Sequence, residues 1–104
     1  MVDRLGGYSD IKPATDETQN ICDAVKSNVE ENTNKTYLEF KAVEYRVQIV
    51  AGVNYLIKVH VGGSDFLHMY VFQGPLLEGK ADTKLKRVER HKNEDPLEPI
   101  RPYS

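Results

Sequence analysis

VQIVAGVN, residues 47–54, joins two runs that alternate with a period of two. Before it, Val43, Tyr45, Val47 and Ile49 alternate with Glu44, Arg46 and Gln48. After it, Val53, Tyr55, Ile57, Val59 and Val61 alternate with Asn54, Leu56, Lys58 and His60. This period belongs to strands that bury one face, so the stretch marks a hairpin. Hairpin tips normally carry Asn-Gly, Asp-Gly or a similar pair. Here the centre is Ile49-Val50-Ala51-Gly52. Holding these side chains in water gains an isolated chain nothing. Either they fold back on the sheet or they belong to an apolar edge that a partner covers.

Downstream, GGSD (62–65) is a turn, and FLHMYVFQ (66–73) is a further strand. Leu67, Met69 and Val71 lie on one face of it; Phe66, His68, Tyr70 and Phe72 lie on the other. Both faces are partly apolar, so pattern alone leaves its facing open. A slip of one residue would flip every side chain. Pairing Val59 with Met69 and Ile57 with Val71 keeps an aliphatic face continuous, and it sets His60 opposite His68. QGPLLEGK (73–80) is a second loop with apolar residues at its tip. Residues 83–91 form an edge strand whose charges resist unwanted pairing, although Leu85 and Val88 fit no clean alternation. Residues 97–104 are an extended tail, with prolines at 96, 99 and 102 around it.

Upstream, residues 13–32 read as a helix. Thr15 is the N-cap, and Asp16 and Glu17 suit the positive end of the dipole. Ile21, Cys22, Val25 and Val29 make one apolar stripe on an otherwise polar helix, and Asn32 or Asn34 ends it. Residues 1–12, with Gly6-Gly7, read as a mobile arm. The sum is a single α+β domain spanning residues 1–104, with one helix lying on an antiparallel sheet.

The 104 residues carry a net charge of −2, which gives no pull toward nucleic acid or an anionic membrane. The first residues carry no apolar h-region, so no signal peptide is expected; no run is long enough to span a bilayer, and there is one cysteine. A cytoplasmic location is expected. Cys22 with a histidine could be called a nucleophile and base, but beside a helix's apolar stripe it reads as a packing group. His60 and His68 lack a third metal ligand. KLKRVERHK (84–92) is interrupted by Glu89 and has no interleaved aromatics, so it reads as a solvated strand face.

The motifs resolve the question of the tip. QIVAG (48–52) resembles the glutamine-valine-valine-alanine-glycine motif of the cystatins, inhibitors of papain-like cysteine proteases. GGYSDIKPAT (6–15), NYLIKVHVG (54–62), VFQ (71–73) and HKNED (91–95) resemble the stefins, the type 1 cystatins, over nearly the whole chain. The resemblance implies a cystatin-like α+β fold, one N-terminal helix wrapped by a curved antiparallel sheet of four to five strands. It implies an inhibitor rather than an enzyme, with no cofactor and no metal. The implied partners are papain-like cysteine proteases of the cathepsin L, S, H and B type, with no nucleic acid and no membrane.

Binding is implied to be reversible, through a wedge of three parts. Leu5, Gly6 and Gly7 of the arm lie along the non-primed subsites. Gln48, Ile49, Val50, Ala51 and Gly52 enter the cleft. Gly74, Pro75, Leu76 and Leu77 of the second hairpin touch the primed side. Ile49 replaces the family's commoner valine, and Gly-Pro-Leu-Leu shifts the usual Leu-Pro by one position. The expected state is a monomer. A domain-swapped dimer is also expected to be accessible, because residues 50–52 join two long strands without a strong turn sequence. The alternative reading is a non-inhibitory member of the fold with a structural or oligomerising role.

Overall fold

The computed structural model describes residues 7–75 and 82–99. Its elements are β1 (Lys12–Pro13), α1 (Asp16–Thr33), β2 (Lys41–Val50), β3 (Gly52–His60), β4 (Asp65–Gln73) and β5 (Thr83–Lys92). The five strands form one antiparallel sheet whose spatial order follows chain order. The expected helix-on-sheet fold is the one observed, with the upper strand count.

The helix begins at the expected cap, although Pro13, inside the stretch read as helical, belongs to β1. Thr15 is the N-cap: its Oγ1 accepts from the Thr18 N–H at 3.2 Å, and the Thr15 N–H donates to Thr18 Oγ1 at 2.7 Å. This is a reciprocal capping box with Thr in place of the usual Glu. Asn34 ends the helix in the left-handed conformation, φ 58°. Thr18, Ile21, Cys22, Val25 and Val29 are buried against one sheet face. There they meet Tyr55, Ile57, Val59, Leu67, Met69 and Val71. Each of the larger apolar side chains contributes roughly 1.5–3 kcal/mol on burial. Gln19 fixes the helix to the start of β2. Its Oε1 accepts from the Ala42 N–H at 2.8 Å, and its Nε2 donates to the Phe40 carbonyl at 2.9 Å.

Three details differ from the sequence reading. First, the β3–β4 register is tighter by two residues. Ile57 faces Met69, Val59 faces Leu67 and Tyr55 faces Val71. Gly62 and Gly63 both take positive φ, 113° and 56°, and permit a shorter reversal closed by Asp65 N–H to the Gly62 carbonyl at 3.0 Å. A shift of two keeps the faces, but His68 now stands opposite Lys58, and His60 opposite Phe66. Second, Val43 is the extra residue of a bulge between Ala42 and Glu44 and turns outward, exposed, while Ala42 takes the core position. Third, a bulge in β5 pairs Leu85 with Val71 and Val88 with Met69. That explains the spacing of three that fitted no alternation.

The face away from the helix carries its own layer. Lys58, His68, Leu56 and Phe66 are buried there, and Leu97 of the tail is 0% exposed. Lys58 Nζ donates to the Asn93 and Asp95 carbonyls at 2.7 and 3.0 Å, with Glu44 at 3.8 Å. The His68 ring stacks on His91 with centroids 3.8 Å apart. The expected surface histidine pair does not form, because the register sets His68 opposite Lys58, and the turn of chain after β5 covers this part of the sheet.

Candidate functional site

The β2–β3 hairpin reverses in a single residue. Val50 pairs with Gly52, and Ala51 stands at the apex. Below the apex Gln48 faces Asn54, whose Nδ2 donates to Gln48 Oε1 at 2.8 Å. Ile49 is 68% exposed, Val50 43%, and Ala51 is exposed too. The apolar tip does not fold back onto the sheet.

Gly52 holds the tip in this shape for two separate reasons. Its φ is +123°, which side-chain-bearing residues rarely adopt. A Cβ there would also stand 2.7 Å from the Gln73 carbonyl oxygen and 2.8 Å from the Phe72 ring. The hairpin therefore leans directly on the end of β4, where the second loop begins. The base of that loop is closed by the Gly74 N–H donating to the Asp82 carbonyl at 2.9 Å and by Gln73 Nε2 to Thr83 Oγ1 at 3.1 Å. Gly74 and Pro75 stand beside the first tip's support; Leu76 and Leu77 lie outside the described residues.

The arm arrives at the same end. Ser9 N–H donates to the Val47 carbonyl at 2.7 Å, and the Val47 N–H donates to Ser9 Oγ at 3.1 Å. Gly7, exposed, thus follows the edge of β2 toward the tip; Leu5 and Gly6 lie outside the described residues. The arm, expected to be mobile through residue 12, is tied to β2 at Ser9 and at Lys12. The structure thus brings Gly7, residues 48–52 and Gly74-Pro75 to one end of the sheet. The sequence reading missed Arg46 and Leu97, which hold that end from the outer face. Leu97 had one signal, a lone apolar residue between Pro96 and Pro99 in a charged tail.

Other chemistries have little support. Cys22 is fully buried, and its thiol is pushed up to about 12 by burial and by Asp23 beside it. It is a packing group rather than a nucleophile. Among the described residues no group of three His, Cys, Asp or Glu side chains could hold a metal, and no helix is long and apolar enough to cross a membrane.

Comparison with known proteins identifies the family of the chain. The sequence model of the Cystatin domain matches residues 6–95. Cystatin-A of Mus musculus is 50% identical over 90 residues, 86% of this chain and 91% of its own. Cystatin-B of Homo sapiens is 53% identical over 75 residues, 72% and 76% of the two chains. Leukocyte cysteine proteinase inhibitor 1 of Sus scrofa is 56% identical over 68 residues, 65% of this chain and 66% of its own length.

Proposed function

Because the chain belongs to the cystatin family, we propose that it inhibits cysteine proteases of the papain type by filling the active-site cleft with the end of the sheet described above. The observation that carries this reading is the exposed Ile49-Val50-Ala51 tip, held away from the core by a glycine with no room for a side chain. A hairpin fixed by its own backbone loses little freedom on binding, so burial of its apolar surface goes largely into affinity. Gln48, Ile49, Val50, Ala51 and Gly52 form the centre of the wedge. Leu5, Gly6 and Gly7 extend it on one side, and Gly74, Pro75, Leu76 and Leu77 on the other. No inhibitor side chain attacks the protease. The tip excludes substrate and water from the catalytic cysteine, and the inhibition is reversible. The chain acts as a monomer in the cytoplasm.

The test is titration of active-site-counted papain with the purified chain. Stoichiometric loss of activity, regained on dilution, is the expected result. A folded chain that leaves papain activity unchanged at micromolar concentration would mark a non-inhibitory member of the family.

A further inference from the structure

The arm is weakly held by the sheet alone. β1 has two residues, and one is Pro13, which has no N–H to give the ladder. Beyond it Asp10 and Ile11 are exposed, and the backbone returns to β2 only at Ser9. Arg46 reinforces this point from the outer face. Its Nε donates to the Ser9 carbonyl at 2.9 Å, and its Nη1 donates to the Leu97 carbonyl at 2.7 Å. One planar guanidinium therefore grips the root of the N-terminal arm and the C-terminal segment together. The planar fork keeps both carbonyls in a fixed relation.

The two ends are not equally anchored. Leu97 is fully buried on the outer face, and Tyr70 Oη donates to the Glu98 carbonyl at 3.4 Å. Tyr8 of the arm is half-buried and shares a small cleft with Arg46, Glu98 and Pro99. The tail is thus the fixed body and the arm the restrained one.

Resting on the inhibitor reading, we propose that Arg46 is a positioning residue of the wedge: it locks the arm's root to the buried tail, so that the arm meets the protease already aimed along β2. Arg46 itself touches no protease atom in this reading. It acts through Ser9, and its contribution appears as a slower departure of the complex.

The experiment uses the full chain and its Arg46→Met variant, which keeps the aliphatic stem and removes every donor. Amide hydrogen exchange and papain dissociation are measured for both. In the variant, the Ser9 amide is expected to exchange about tenfold faster, and papain to dissociate about tenfold faster, as suits loss of charge-assisted hydrogen bonds. Core amides at Ile57 and Met69 keep their protection. Unchanged Ser9 exchange and unchanged dissociation would overturn the proposal. So would a loss of protection shared equally by Ser9 and the core, which marks a merely structural role. If Arg46→Met does not fold, Arg46→Gln, which retains a single donor group, is measured by the same criteria. A wild-type chain that fails to inhibit papain sinks the inhibitor reading instead, while the exchange data still decide the clamp.

Discussion

Lys58 and His68 stand directly opposite each other across β3 and β4, and both are almost wholly withdrawn from solvent. The lysine finds two backbone carbonyls. The histidine finds a stacked ring, and its Nε2 has no hydrogen-bond partner among the described residues. Burial first, then the neighbouring His91 and Lys58, push His68 down to about 4, against the opposing pull of Glu89 and Asp95.

This predicts an acid-sensitive outer layer. An unfolded histidine takes its proton near 6.5, whereas His68 resists until about 4. Between those values the unfolded state binds more protons, so this stability is complete above 6.5 and is lost as pH falls toward 4. Asp95, held low by the Lys92 N–H and then His91, adds loss in the same direction at lower pH. His60 works oppositely. The Gly63 carbonyl and Glu39 raise its pKa, so its contribution is present below 6.5 and lost as pH rises. Replacing His68 by Phe removes the orphaned nitrogen and the proton. The variant's Tm is expected to exceed that of the natural chain by more at pH 4.5 than at pH 7.5. Equal differences at both pH values would count against burial of a neutral His68.

Leu97→Ala should destabilise the whole domain by about 2–4 kcal/mol, the usual range for emptying a packed leucine site. The check is urea unfolding followed by circular dichroism. A cost below about 0.5 kcal/mol would mean that the tail lies on the sheet without supporting it.

Gly52→Ala meets both a positive φ and a filled space, so the tip must move. Expected are a stability loss of about 1–3 kcal/mol and weaker papain inhibition. Unchanged inhibition would show that the tip's shape is irrelevant to binding.

Val50→Asp tests the contact rather than the shape. Val50 is half-open to water, so Tm should hardly move. A carboxylate carried into a desolvated cleft should cost more than about 2 kcal/mol of affinity for papain. A fall in Tm with inhibition intact would mean that the tip belongs to the core after all.

We propose that residues 50–52 also act as a hinge. If they straighten under mild heating, α1 and the first strands can exchange between two chains and remake the same contacts. A slowly reverting dimer without inhibitory activity is expected, and Cys22→Ala should form it equally, separating it from a disulfide-linked species. Gel filtration followed by papain titration reads the outcome. A dimer that inhibits as well as the monomer would remove the hinge assignment.

The helix was legible because its cap, acidic first turn and apolar stripe are all local. The hairpin was legible from alternation, and its unusual tip from the absence of turn chemistry. The β3–β4 register was not. Two glycines next to each other allow reversals of different length, and both registers keep an aliphatic face. The bulges at Val43 and in β5 were hidden for a similar reason, since each spends one residue outside the period that pattern reading relies on. Arg46 and Leu97 meet across 51 positions of sequence. A charge at a polar strand position and a lone leucine in a tail acquire meaning only once the sheet brings them together.

The strand order has a kinetic consequence. From β2 onward each strand pairs with the next one in the chain, and only the short β1 reaches its partner across the whole of α1, so no crossover must be threaded. Such a meander can grow by zipping outward from its turns, with modest loop-closure entropy at each step. The long-range event is the docking of α1 onto strands that follow it. The nascent sheet is then an apolar face waiting for its cover. Until α1 docks, that face is open to other apolar surfaces, so faster helix docking is expected to leave less chain exposed to aggregation.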